Sequence, residues 1–342
     1  ANLNFLVNYF EDGSMDDHYY IGSLLAAHFN MLETDKVSAL VESAKRHLLD
    51  EKLGIYVVYP MDYERLQDYL KFVGNEAGEQ FYYMNGGIWP HGNAWYALAL
   101  MSDNRREEAL GFIKKTMTLE GIMSGPNGQP AMYEVRNANF HDPSVYGTVD
   151  KPQFLWAGAW YLYSLYHLFG IRENSWNIGF SPFLAAQQKS AEFDLCANGQ
   201  VLRMGVAGSG EHIKDIRFDG KKSCSAVIPA GLKNIKNVDI ILGSPETAYL
   251  DETNSSLNSC TYDKDSRSLK MELAAFPGHH NTTRVVSPIA PEHVYLNHQE
   301  LKDGWQARNE GGLFRVEVNF LHIKSVDKLE FKFDNTSLKG GG

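Results

Sequence analysis

A chain of 342 residues is long enough for two hydrophobic cores, and 44% hydrophobic with 22% charged residues is ordinary for a globular protein. A formal net charge of −10 without any basic stripe argues against a nucleic-acid partner, and no apolar run reaches the roughly 20 residues needed to span a bilayer. Aromatic residues make up 12%, which suits carbohydrate binding and a large helical core alike. Cys196, Cys224 and Cys260 lie far apart with no CxxC spacing, so neither a zinc site nor a disulfide framework is expected, and they read as buried free thiols.

In chain order, Phe5 to Tyr9 reads as a strand running into an acidic loop, with Asp16 or Asp17 as the N-cap of the helix that follows. Ile21, Leu24, Leu25, His28 and Leu32 share one helical face. Val37, Leu40, Val41, Ala44 and Leu48 share another, and the short Asn30–Asp35 connection makes the two antiparallel. A strand at Ile55–Tyr59 stops at Pro60, and a short helix is expected over 62–72.

The centre of this half is Phe81–Leu100, FYYMNGGIWPHGNAWYALAL. Gly86 and Gly87 allow a tight turn, Pro90 fits the first turn of a helix, and Leu98, Ala99 and Met101 follow at helical spacing. Such a turn delivers Trp89 and His91 to the mouth of a buried helix. A sugar ring needs aromatic platforms beside a few polar groups, because its C–H face is apolar and its hydroxyls are not. As residue types alone, Trp89 and Trp95 read equally as core, and His91 as a hydrogen-bonded loop histidine.

Arg105–Met117 forms another amphipathic helix, and Gly125–Lys151 a long loop bearing Tyr133-Glu134-Val135-Arg136. Phe154–Leu165, with Trp156, is apolar on nearly every side and is expected to be a buried inner helix closed by Gly170. From about Gly179 the texture becomes short alternating strands from Gln200–Met204 to Lys328–Phe333, with turns such as Asn198-Gly199 between them, which predicts a β-sandwich. His279-His280 has no third ligand nearby in sequence, so no metal or other cofactor is expected.

Asn85-Gly86-Gly87-Ile88-Trp89-Pro90-His91-Gly92-Asn93-Ala94-Trp95 resembles the signature of the cellobiose and chitobiose phosphorylase family. It is also similar to the Gly-x-x-Trp-Pro segment of glucosidase-type (α/α)6 barrels. The resemblance covers the first half of the chain and implies an α + β multidomain protein. Residues 1–178 would be part of an (α/α)6 helical toroid and 179–342 an all-β sandwich. Only about half the helices of a closed toroid are present, so the chain is expected to be the C-terminal piece of a larger enzyme.

The activity implied is an inverting glycoside hydrolase acting on an oligosaccharide. Such a reaction needs one group to protonate the departing oxygen and another to activate water. Glu134 matches the family's base, although on a loop it could also simply pair with Arg136 or Arg172. The general acid would lie upstream, or Asp17 beside Asp16 would stand in for it. Trp89, His91, Asn85, Tyr133, Arg136 and Trp156 are the expected substrate-binding residues.

An inverting disaccharide phosphorylase, with His91 on phosphate, is an alternative, weakened by the missing hydroxyl at Leu155–Ala159. A non-catalytic carbohydrate-binding protein is another, and a polysaccharide lyase using Tyr133, His91 and Arg136 a third. The resemblance also implies a homodimer, or partnership with the missing N-terminal half.

Overall fold

The computed structural model describes residues 4–66, 77–197, 200–232 and 234–333. The chain divides into two compact units, residues 1–168 and 169–342.

The first unit is built around one helix. Its helices are α1 (Ser23–His28), α2 (Thr34–His47), α3 (Pro90–Ser102), α4 (Arg106–Thr116), α5 (Leu119–Ser124) and α6 (Leu155–Leu168). Pro90 opens α3 where a missing N–H costs nothing, and Trp89 before it is extended. Every α3 residue except Trp95 and Ser102 is buried, and α1, α2, α4 and α6 all pack against it. A helix apolar on all sides has to be enclosed in this way.

Beside α3 runs a layer of short extended segments. Tyr19–Tyr20 pairs with Val58–Tyr59, Tyr56 with Ile88, Ile88 with Arg136, and Val135–Arg136 with Val149–Asp150. The layer is tied to α3 by Asn93, whose buried Oδ1 accepts from the Ile55 N–H at 2.8 Å. Gly54 makes room for that amide: it has φ +128°, and a Cβ there would lie 2.1 Å from Asn93 Oδ1. Gly86 has φ +99° and turns the chain tightly over Met61, as its place in the Asn-Gly-Gly turn requires.

The long Gly125–Lys151 loop is ordered from within. Arg136 is fully buried; its Nε donates to the Gly147 carbonyl at 3.0 Å and its Nη2 to that of Pro126 at 2.8 Å.

The expected toroid is corrected. Strands take 36% and helices 22% of the structure, and the six α-helices among the described residues include two of only six residues. Four of them pack on α3 and α5 packs on α4, without lining a ring, so the chain is β-rich and not a partial (α/α)6 barrel. Apolar texture on every side was the misleading signal. It marks α3 correctly, but α6, with the same texture, leaves Leu155 89%, Leu162 55% and Trp156 44% exposed. The expected helix over 62–72 is a 3-10 turn at Tyr63–Leu66, and its remainder lies outside the described residues.

In the second unit a hairpin of β1 (Ile171–Glu173) and β2 (Ile178–Phe180) precedes three sheets. The first contains β3 (Ser190–Ala197), β4 (Gln200–Gly208), β5 (Ile213–Phe218), β6 (Lys221–Ser223) and β7 (Asn237–Leu242). Their order is β3-β4-β7-β5-β6, and β4 runs parallel to β7. The expected Asn198-Gly199 turn between β3 and β4 lies outside the described residues.

The next strands are β8 (Tyr249–Thr253), β9 (Ser256–Asp263), β10 (Ser268–Ala274) and β11 (His280–Ser287). They are followed by β12 (His293–Leu296), β13 (Gln299–Glu300), β14 (Trp305–Glu310), β15 (Leu313–Leu321) and β16 (Val326–Lys332). These make sheets β8-β11-β15-β14 and β9-β10-β16-β12-β13, with antiparallel neighbours throughout. Both sheets feed one core: Leu250, Val285, Val316 and Val318 from the first meet Leu257, Leu269, Met271 and Phe331 from the second. Alternation explains the faces, as in β7, where Val238, Ile240 and Leu242 are buried and their neighbours exposed.

The Asn93–Gly54 lock yields a prediction. Gly54→Ala combines an unfavourable φ with a clash against Asn93, so it should destabilise the protein by about 2–3 kcal/mol. Denaturant unfolding would read this; an unchanged midpoint would mean the lock does not hold the layer to α3.

Candidate functional site

The Asn-Gly-Gly turn and the start of α3 place three aromatic rings in series. Trp89 lies 5.2 Å from the Tyr83 ring, and its indole Nε1 donates to the Tyr83 carbonyl at 3.1 Å. His91 meets Trp89 edge-on at 4.9 Å and stacks on Trp156 of α6 at 4.6 Å and 21°. Trp95 closes the other side of His91 at 4.8 Å and continues inward to Trp160 at 5.7 Å. Burial among these rings pushes the His91 pKa down to about 4, so the imidazole is neutral at pH 7.

Glu134 reaches this group through the backbone. Ile88 and Arg136 exchange hydrogen bonds at 3.0 and 2.8 Å, which ties the chain two residues after Glu134 to the chain two residues before Pro90 at the head of α3. The Glu134 carboxylate pairs with Lys151 Nζ, which lies 5.2 Å over the Tyr83 ring. That contact with Glu134 is the main cause raising the Lys151 pKa and keeping it charged. Tyr82 OH donates to the Asp150 carboxylate, and burial followed by that bond pushes the Tyr82 pKa up to about 12. Contact therefore runs unbroken from Glu134 through Lys151, Tyr83, Trp89 and His91 to Trp156. The cavity behind this face, lined by Pro90, Tyr133, Ala157 and Tyr161, holds only about 10 Å3. The face is thus an open platform beside a cavity no larger than one water.

Three residues expected to touch a ligand lie beneath this surface. Asn85 is 1% exposed, Tyr133 1% and Arg136 1%; Arg136 holds the loop, and its guanidinium lies 5.9 Å from the Tyr133 ring. Asp17 belongs elsewhere. It is exposed and pairs with Arg65 at 2.8 Å, while its neighbour His18 is buried between Asp16 and Asp62 at 2.6 Å from each. Neither Asp16 nor Asp17 caps α1, whose N-cap is Gly22. Asp16, Asp17 and His18 could converge on a metal ion. However, both His18 nitrogens are taken by carboxylates and Asp17 by a guanidinium, so the cluster is satisfied by its own hydrogen bonds.

Sequence reading missed Lys151, Tyr83 and Asp150. Nothing local marks them, because their roles follow from the pairing of Val135–Arg136 with Val149–Asp150. It also missed a buried Ser-His-Asp alignment in the second unit. Ser255 Oγ lies 2.9 Å from His322 Nε2, and His322 Nδ1 lies 2.9 Å from Asp327 Oδ2. Ser255 is 0% exposed and its Oγ accepts from Asn281 Nδ2 at 2.7 Å, so this alignment is a polar clasp in the core with no access for a substrate.

No protein-family model matches the chain, and no curated protein matches it. The likeness of the Asn85–Trp95 motif to the phosphorylase and glucosidase-barrel families is corrected accordingly, since the fold those families share is absent. No helix among the described residues is long and apolar enough to cross a membrane.

His91 makes stability depend on pH in a set direction. With its folded pKa near 4 and an ordinary value of 6.5, the unfolded chain takes up a proton between those pH values that the folded chain refuses. Stability therefore falls as pH drops through this window. His91→Gln should flatten the decline in thermal midpoint between pH 6.5 and 4 relative to the parent protein; parallel curves would contradict the burial of a neutral ring.

Proposed function

We propose that the first unit binds a neutral oligosaccharide on the face formed by Tyr83, Trp89, His91 and Trp156, with Glu134 at its rim as base in a glycoside hydrolysis. The observation that carries this reading is the unbroken contact between that aromatic series and the Glu134–Lys151 pair. An indole face matches the C–H face of a pyranose, and Trp156, 44% exposed, is open to such stacking. A carboxylate and an ammonium side by side can accept from and donate to sugar hydroxyls. His91, neutral at pH 7, backs the platform without placing a charge under an apolar ring face.

In hydrolysis Glu134 would take a proton from the attacking water, while a second acid protonates the leaving oxygen. Lys151 would have to release Glu134 as a substrate hydroxyl or water takes its place. Binding without turnover is the second reading, and it is favoured by that same ion pair, which already engages the only carboxylate in the contact series.

The two readings separate in one experiment. Calorimetric titration with neutral gluco- and chito-oligosaccharides, alongside a reducing-end assay, should give binding to the parent protein. Trp156→Ala should weaken it about tenfold while leaving the fold intact, as loss of roughly 1.4 kcal/mol of stacking implies. Glu134→Gln should abolish hydrolysis and keep most of the affinity. Unchanged hydrolysis in that variant ends the catalytic role of Glu134, and unchanged affinity in Trp156→Ala ends the binding face.

A further inference from the structure

Cys224 and Cys260 are 36 positions apart in sequence, yet their Sγ atoms lie 3.5 Å apart and share a hydrogen bond. Two backbone ladders bring them together. Cys224 immediately precedes the Ser225–Leu250 bridge, where its carbonyl accepts from the Leu250 N–H at 2.9 Å. Cys260 lies in β9 opposite Met271 of β10. Both side chains pack against the core shared by the two large sheets, and both are partly accessible. Cys196, by contrast, is exposed and takes no part in this pair.

We propose that Cys224 and Cys260 are a disulfide-forming pair, closed by exchange with a low-molecular-weight disulfide. A disulfide spans about 2.05 Å between sulfurs, so closure needs the two Sγ atoms to approach by about 1.5 Å from their 3.5 Å contact. Cys224 Sγ donates to Cys260 Sγ, and Cys260 Sγ in turn lies 3.6 Å from the Cys224 carbonyl. This contact holds the Cys224 thiol below its ordinary pKa, and the same contact together with burial pushes Cys260 up. Cys224 is therefore the attacking sulfur.

Its thiolate attacks one sulfur of the small disulfide, forming a mixed disulfide and expelling one small thiolate. Cys260 then gives its proton to solvent and attacks the Cys224 sulfur, expelling the second. Two protein thiols are oxidised to one disulfide, and one small disulfide is reduced to two thiols.

The bond would fasten a wall of a groove in this unit. From Cys224 the chain runs to Ile228, Pro229 and Ala230, which line a groove of about 540 Å3 with Trp176, Asn177 and Leu202. The Ile228 N–H donates to the Ile178 carbonyl and the Ala230 N–H to that of Leu257, so this wall already leans on β9 beside Cys260. A covalent tie at Cys224 adds a constraint that the unfolded chain feels as well.

The experiment treats the reduced full-length chain with glutathione disulfide and maps its peptides without reduction. A cross-linked Cys224–Cys260 peptide pair, about 2 Da lighter than the sum of its two thiol forms, is expected, with Cys196 free or carrying glutathione. The thermal midpoint should rise by roughly 5 °C or more on closure and return on reduction. Cys224→Ser should give no internal cross-link; if that variant does not fold, the peptide map of the parent protein still decides. Recovery of Cys224 and Cys260 as separate thiols or separate glutathione adducts would overturn the proposal.

Discussion

The site rests on one buried cation. Arg136 has its guanidinium inside the first unit, where a charge without partners would be costly, and backbone carbonyls of Gly147 and Pro126 satisfy it. The same residue exchanges both backbone hydrogen bonds with Ile88. One side chain thus folds the long loop onto itself while its main chain fixes that loop against the head of α3. Together with the Ala138 N–H on the Phe81 carbonyl and Tyr82 on Asp150, that double attachment sets Glu134 and Lys151 beside Tyr83 and Trp89.

Around that fixture the electrostatics are divided by depth. The interior partner, His91, is stripped of water by three aromatic neighbours, Trp89, Trp95 and Trp156, and stays neutral. The outer partners, Glu134 and Lys151, form an ion pair at the rim, where Lys151 is 56% exposed. The Glu134 side chain is only 12% exposed, so Lys151 covers a half-buried carboxylate and the pair sets both charges beside the aromatic platform, where they can meet a ligand.

Parts of this were legible in the chain. The turn at Gly86 and the helix opening at Pro90 follow from local backbone chemistry, and the helix expected over Arg105–Met117 stands at Arg106–Thr116. Strands such as Asn237–Leu242 announce themselves by strict alternation. The helical toroid was not there to be read: apolar texture cannot distinguish α3, enclosed on every side, from α6, which leaves Leu155 open. Lys151 against Glu134, Trp156 on His91 and Cys260 beside Cys224 are long-range meetings set by pairing register, and no single segment encodes them.

The most direct test of the saccharide-binding account is a crystal of this chain soaked with a neutral gluco-oligosaccharide. A pyranose ring stacked on Trp156, with hydroxyls on Glu134 and Lys151, is the predicted result. Sugar density confined to the groove beside Trp176, or an unoccupied Trp156 face at saturating ligand, would contradict it.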